Sequence, residues 1–153
     1  MKWIAVDYGE RRTGLAVCDA TELIVTPITP QIEEKSLNKV AQAATDALRA
    51  QGAQGIVVGL PRNMDGTEGA RCTKSRRFAA KLAQVSGMPV ALWDERRTTV
   101  SAAGILSGNN TFGADRKARI DSVSAAVILE SFLNWRRAHP GQDAPETVCP
   151  VQE

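Results

Sequence analysis

The chain has 153 residues, of which 43% are hydrophobic and 24% charged, and its net charge is +2. This length is typical of one domain with a sizeable core, and the composition excludes a disordered, collagenous or disulfide-rich protein. Three cysteines without CxxC spacing argue against a zinc site, and no apolar run approaches the roughly 18 residues of a membrane-spanning helix. We expect a cytoplasmic protein without a targeting segment or membrane contact.

The first part of the chain predicts strands followed by a helix. Strands at 2–7 and 13–18 are close enough in sequence to form an antiparallel hairpin. A short third strand falls between 23 and 32, where two prolines confine it to a sheet edge. Ser36 is a candidate N-cap for a helix whose apolar residues repeat at helical spacing until Gly52.

The rest of the chain alternates strand and helix patterns. Apolar periodicity and Gly or Pro breakers predict two strands and three helices, at 55–59, 68–86, 90–94, 99–106 and 120–137. Residues 109–116 are predicted to form a loop, and 138–153 a flexible tail. We therefore predict one α/β domain over 1–137, with a five-stranded mixed sheet and helices on both faces. The sheet would be an antiparallel meander extended by parallel βα units.

Charge is distributed unevenly along the chain. Residues 62–119 carry 11 basic and 5 acidic side chains, whereas the segments before and after them are net acidic. A basic block of this kind is a candidate footprint for a polyanion, although solvated lysines and arginines are the commoner explanation. By itself the charge pattern gives only a weak preference for nucleic acid as a partner.

Three acidic residues stand at the ends of rows of apolar side chains. Each row consists of residues that share one face of a strand or helix and point toward the predicted core. Asp7 and Glu95 each end a strand row, and Asp121 heads the core-facing stripe of the last helix. Each has an ordinary explanation by itself: a turn for Asp7, an arginine salt bridge for Glu95, and helix capping for Asp121. Together they would project toward the same end of one sheet. Carboxylates without His or Cys suit Mg²⁺ or Mn²⁺, and two such ions can promote phosphodiester cleavage.

Four segments of the chain resemble the YqgF family. They are Asp7-x-Gly9-x-x-Arg12-x-Gly14-x-Ala16, Gly59-Leu60-Pro61 with Asp65-Gly66-Thr67-Glu68-Gly69, Asp94-Glu95-Arg96-Arg97-Thr98-Thr99, and Lys117 with Ile120-Asp121 and Ala125-Ala126-Val127-Ile128-Leu129. Members of this family are described as Holliday junction resolvases and as nucleases that mature the precursor of small-subunit ribosomal RNA. The resemblance implies an RNase H-like fold and a metal-dependent endonuclease, with Asp7, Glu95 and Asp121 as metal ligands and catalytic residues.

Several side chains are candidates for contacts with nucleic acid. Five basic ones would hold the phosphate backbone, namely Arg12, Arg71, Lys74, Arg77 and Lys117. A solvated surface residue remains the alternative for Arg12 and Lys117, whereas Arg71 heads the apolar stripe of its helix. Among the aromatic residues, Trp3 and Trp93 are predicted to lie in the core, which leaves Tyr8 as the candidate for a contact with bases.

The first functional hypothesis is an Mg²⁺- or Mn²⁺-dependent endonuclease of structured nucleic acid, acting on precursor ribosomal RNA or on branched DNA. The alternative is a nucleic-acid-binding module without turnover, in which the acids are structural. A phosphotransferase of the actin or sugar kinase type ranks last, because the chain is too short for the duplicated domains of that class. Symmetric incision of a four-way junction would require a homodimer, which the sequence leaves open.

Overall fold

The computed structural model describes the backbone of residues 1–97 and 114–150, and the side chains of 1–97 and 123–150. Within these ranges it has six strands, which are β1 (Trp3–Asp7), β2 (Thr13–Cys18), β3 (Val25–Ile32), β4 (Gly55–Leu60), β5 (Val90–Asp94) and β6 (Glu146–Val148). It also has three α-helices, which are α1 (Leu37–Gln51), α2 (Ala70–Ser86) and α3 (Ala114–Ala138). A single 3₁₀ turn, Glu95–Arg97, follows β5.

The strands form one mixed sheet in the order β3-β2-β1-β4-β5-β6. β1, β2 and β3 make an antiparallel meander, and β1, β4 and β5 are parallel to one another. This confirms the predicted α/β class with a mixed sheet, and the proline-containing β3 lies at an edge. The prediction of five strands is wrong, because Glu146–Val148 adds a sixth strand that pairs antiparallel with β5. Three residues among prolines carry too little periodicity to predict a strand.

Helix α1 has both of the caps that the sequence indicates. The Ser36 hydroxyl accepts a hydrogen bond from the backbone N–H of Lys39 at 3.4 Å. Gly52 ends the helix in the left-handed region, with φ of 66°, which a residue without a Cβ adopts at little cost. The buried face of α1 includes Val40, Ala44 and Leu48, at the spacing that predicted the helix.

The core has two layers, one on each face of the sheet. Val6 and Val58 face α1 and α2 in a cluster that includes Phe78. Ala5 and Val57, their neighbours along β1 and β4, face α3 in the second cluster. Because side chains alternate along a strand, a continuous apolar run fills both layers. The prediction of helices on both faces of the sheet is confirmed.

Helix α3 is longer than the sequence predicted. It begins at Ala114 rather than near Ile120, so residues 114–116 are helical and not part of a loop. Ala114, Arg116 and the residues after them favour helix by intrinsic propensity, which apolar periodicity alone does not detect. The predicted helix at 99–106 lies outside the described residues. No helix in the described ranges is long and apolar enough to cross a bilayer.

Candidate active site

Two of the three predicted acids lie at the same edge of the sheet. β1, β4 and β5 run in parallel, so their carboxyl ends meet at one edge. Asp7 is the last residue of β1, and Glu95 follows directly after the last residue of β5. Both residues are partly buried. The position that the sequence predicted for these two carboxylates is therefore the one observed.

The Glu95 side chain reaches Asp7 across the strand that separates β5 from β1. β4 lies between them, and at this edge it carries Gly59. A Cβ on Gly59 would stand 2.7 Å from Glu95 Oε1 and 2.5 Å from Ile128 Cδ1. The missing side chain thus leaves the space through which Glu95 forms a hydrogen bond with Asp7. Sequence reasoning placed Gly59 in a motif but gave it no role.

The surroundings of Glu95 shift its pKa. Burial raises the pKa of the Glu95 carboxyl above its usual range, and the charge of Asp94 acts in the same direction. The Arg71 guanidinium and the hydrogen bond with Asp7 oppose this rise without cancelling it. Two partly desolvated acids in contact repel each other when both are ionised, and a hard divalent cation relieves that repulsion. The donor chemistry of the pair therefore fits Mg²⁺ or Mn²⁺.

The third predicted acid, Asp121, lies in α3, but its side chain falls outside the described residues. Among the side chains that the structure describes, no group of three His, Cys, Asp or Glu residues is placed to hold a metal ion. Ile128 of α3 packs against Gly59, at the same position where the Glu95 carboxylate approaches it. Position 121 lies seven residues, or about two helical turns, before Ile128 in α3.

A network of charges supports the turn that carries Glu95. Arg96 Nη2 donates to Asp94 Oδ2 at 2.7 Å, and the Arg96 backbone N–H donates to Asp94 Oδ1 at 3.0 Å. Arg62 Nη1 reaches the same carboxylate at 3.5 Å. The hydrogen bond from Arg96 holds the pKa of Asp94 below its usual value. Asp94 therefore stabilises the 3₁₀ turn through its hydrogen bonds with Arg96. The Asp-x-Arg spacing could have indicated this role.

The predicted basic residues lie at different distances from the acids. Arg71 is exposed at the start of α2, and its charge acts directly on Glu95. Lys74, one turn further along α2, forms an ion pair with Glu10 of the β1–β2 connection. Arg77 lies another turn along, and Arg12 is exposed in the β1–β2 connection. Lys117 of α3 lies outside the described side chains.

Comparison with known proteins gives a consistent result. The family model described as "RuvX: Holliday junction resolvase" matches residues 1–135. A protein of Syntrophus aciditrophicus named "Putative pre-16S rRNA nuclease" is 36% identical over 153 residues, which is 100% of this chain and 99% of that protein. A protein of the same name from Ruegeria sp. is 37% identical over 134 residues, covering 88% of this chain and 85% of the relative.

The fold also matches a solved structure. The chain is similar to RuvC of T. thermophilus, solved in complex with a Holliday junction substrate, with a TM-score of 0.61. The match covers 91% of this chain and 97% of that chain, at 12% sequence identity. At this identity the similarity concerns the fold alone.

Proposed function

The chain belongs to the RuvX family, also called the YqgF family, and we propose on this basis that it is a metal-dependent endonuclease of structured nucleic acid. The membership confirms the resemblance of its sequence motifs, and the curated relatives are named as nucleases. The observation that carries the proposal is the contact between Asp7 and Glu95, two carboxylates at the ends of strands that are not neighbours. The fold is proposed to be RNase H-like.

Asp7, Glu95 and Asp121 are proposed as the catalytic residues and metal ligands. Two Mg²⁺ or Mn²⁺ ions, when bound there, would supply activation of water and stabilisation of the leaving oxygen in phosphodiester hydrolysis. Gly59 leaves room for the Glu95 carboxylate, and Asp94 fixes the turn from which it extends. Carboxylates held in this way do not have to move before they bind a metal ion. Such preorganisation lowers the energetic cost of catalysis.

The basic residues Arg12, Arg71, Lys74, Arg77 and Lys117 are proposed to bind the nucleic-acid backbone. Four of them have described side chains, and all four are exposed. Phosphate contacts of this kind position the substrate without reading its sequence. Among these four, Arg71 is the residue whose charge acts on Glu95, so it is the candidate to hold the phosphate next to the cleaved bond.

The substrate is proposed to be precursor ribosomal RNA or branched DNA. The names of the relatives favour the first, and the description of the family favours the second. Resolution of a four-way junction by two symmetric cuts needs two sites, so that activity requires a homodimer. The protein is proposed to act in the cytoplasm, which suits its free cysteines Cys18, Cys72 and Cys149. Residues 1–137 are proposed as the nuclease domain.

A cleavage assay with Mn²⁺ tests the proposal. The substrates are flayed RNA, single-stranded DNA and a four-way DNA junction, and the variants are Asp7→Asn, Glu95→Gln and Asp121→Asn. Each variant should lose cleavage while keeping its fold and its binding of nucleic acid. Asp46→Asn, which removes an exposed acid from α1, is the matched control and should cleave like wild type.

The alternative is a binding module in which the acids are structural. It predicts binding that is unaffected by chelator and no metal-dependent product from any of the three substrates. Cleavage at the wild-type rate by all three acid variants would reject the assignment of Asp7, Glu95 and Asp121.

A further inference from the structure

Three adjoining surface grooves lie between α2, the β1–β2 connection and the β3–α1 connection, and we call them together the α2 furrow. Its first section lies between Tyr8, which follows Asp7, and Arg71, whose charge acts on Glu95. The second section adjoins the first, because Tyr8 and Lys74 line both. The third adjoins the second, because Arg11 and Lys35 line both. The furrow therefore runs from Arg71 and from Tyr8, which follows Asp7 in the sequence, to the β3–α1 connection.

The lining of the α2 furrow is predominantly basic. The six cationic side chains that line it are Arg11, Arg12, Lys35, Arg71, Lys74 and Arg77, against the three acids Glu10, Glu33 and Glu34. All six cationic residues are exposed, so each is accessible to a phosphate. The ion pair of Lys74 with Glu10 joins the two walls of the furrow between α2 and the β1–β2 connection. A basic groove of this kind tracks a phosphate backbone.

Tyr8 gives the α2 furrow a rigid aromatic surface. Its ring is stacked on that of Phe78, with 4.5 Å between the centroids and 10° between the planes. Phe78 is fully buried, so it fixes the Tyr8 ring in place. Tyr8 itself is partly exposed, and it lines two sections of the furrow. An aromatic ring held beside a basic groove is the feature on which unpaired bases stack.

We propose that the α2 furrow binds a single-stranded stretch of nucleic acid flanking the cleaved bond, with one base stacked on Tyr8 and phosphates on Lys35 and Arg77. The inference rests on the proposed function and adds the form of the substrate beside the cut. The section that contains all three residues has a volume of about 450 Å³. That size is in the range of about 300 to 1,000 Å³ typical of small-ligand sites, so the section has room for a nucleotide.

Binding measured in EDTA tests the proposal, because cleavage is then absent. The probes are an RNA hairpin with a single-stranded flank, the same hairpin with a blunt end, and a hairpin whose flank lacks bases. Wild type should bind the flanked hairpin on the order of tenfold more tightly than either of the others, as expected for base stacking. Equal binding of the three probes by wild type overturns the proposal, and this comparison needs no variant.

Variants assign the effect to Tyr8. Tyr8→Leu keeps the bulk of the contact with Phe78 but removes the aromatic surface, so it should bind the flanked hairpin no more tightly than the hairpin whose flank lacks bases. Tyr8→Phe should restore the preference for the flanked hairpin. Thermal melts of both variants check that the core around Phe78 is intact. A flank preference in Tyr8→Leu equal to that of wild type overturns the role of Tyr8.

A charge variant tests whether the phosphate backbone of the bound strand passes Arg77. Arg77→Gln should lower the slope of log affinity against log salt by about 0.7 for the flanked hairpin, the value expected for one lost phosphate contact with a single strand. Arg49→Gln, the same charge change on α1 away from the furrow, is the matched control. Equal salt slopes for Arg77→Gln and Arg49→Gln would contradict a path of the nucleic-acid backbone past Arg77. Wild type that prefers the flanked hairpin but gives no Mn²⁺-dependent product would reject the endonuclease while leaving the furrow proposal intact.

Discussion

The Glu95 carboxylate lies in the space that Gly59 leaves open on β4. A Cβ at position 59 would come within 2.7 Å of Glu95 Oε1, a separation at which one of the two must move. Because β4 separates β5 from β1, Glu95 has to cross it to reach Asp7. A glycine in a strand interior often marks such a close approach, and here the approaching group is a proposed metal ligand.

Gly59→Ala should therefore reduce cleavage strongly. A displacement of the carboxylate by about 1 Å is expected to lower the rate on the order of 100-fold. The new methyl group would also clash with Ile128 and cost about 1 to 3 kcal/mol of stability. The measurements are single-turnover cleavage with Mn²⁺ and the free energy of unfolding in urea.

The double variant Gly59→Ala/Ile128→Val separates the two effects. Loss of the Ile128 Cδ1 atom removes the closest contact at 2.5 Å but leaves the clash with Glu95. Stability should recover relative to Gly59→Ala while cleavage stays low. If cleavage recovers together with stability, Gly59 matters for packing only.

The ion pair of Glu22 with Arg136 should make stability depend on acid pH. Arg136 Nε donates to Glu22 Oε1 at 2.7 Å, and the N-terminal amine lies 3.2 Å from Oε2. The hydrogen bond from Arg136 lowers the pKa of Glu22 in the folded protein. A lowered folded-state pKa means that the stabilisation is complete above the unfolded value near 4.5 and is lost as pH falls through the folded value.

Glu22→Gln should remove about 1 kcal/mol of stability at pH 7 and flatten the fall of stability below pH 4.5. Urea unfolding measured between pH 7 and pH 2.5 gives both quantities. Arg136→Gln should flatten the same part of the curve, since it removes the donor rather than the acid. An unchanged pH profile in both variants would show that the pair does not contribute.

Arg76 should control the ionisation of Glu68. Arg76 Nε donates to Glu68 Oε1 at 2.7 Å, and Nη2 donates to Oε2 at 2.6 Å. These bonds lower the pKa of Glu68 from 4.5 to about 2. Arg76→Gln should raise it most of the way back toward 4.5. An NMR titration of the Glu68 carboxyl carbon measures the shift, and a pKa that stays near 2 would mean that Arg62 is the dominant partner.

Truncation of Phe132, in the described part of α3, should cost a large share of the stability. Phe132 is fully buried, with its ring edge-on to Trp3 at 4.8 Å and to Trp93 at 5.5 Å between centroids. Phe132→Ala should cost about 3 to 5 kcal/mol, and Phe132→Leu less than about 1.5 kcal/mol, because leucine keeps most of the volume. Urea unfolding followed by tryptophan fluorescence measures both. Equal losses would show that the aromatic contacts, not the volume, are responsible.

Most of the fold could be predicted from local patterns. The bounds of β2 and β5 are the predicted ones, and α1 begins after Ser36 and ends before Gly52 as its caps indicate. These signals lie within a few residues of one another, and alternation, periodicity and capping act at that range. The start of α3 was missed because helix propensity, rather than apolar spacing, sets it.

The sixth strand could not be predicted, because its stabilising contacts come from elsewhere in the chain. Glu146 of β6 binds Arg76, which lies 70 residues earlier, and also Arg62. A three-residue segment gains its strand conformation from pairing with β5 and from these charges. No local pattern within 138–153 indicates this pairing or these ion pairs, so the sequence predicted a tail.

For the candidate site, the sequence by itself determined that Asp7 and Glu95 each end a row of apolar side chains on one face of a strand. Alternation along a strand is sufficient to assign residues to a face. Only the tertiary structure decided that Glu95 meets Asp7, since that contact depends on the strand order and on Gly59 lying between them. The same holds for Tyr8, whose rigidity comes from Phe78 on α2. Local periodicity fixes the direction of a side chain, whereas the packing of distant segments fixes what it touches.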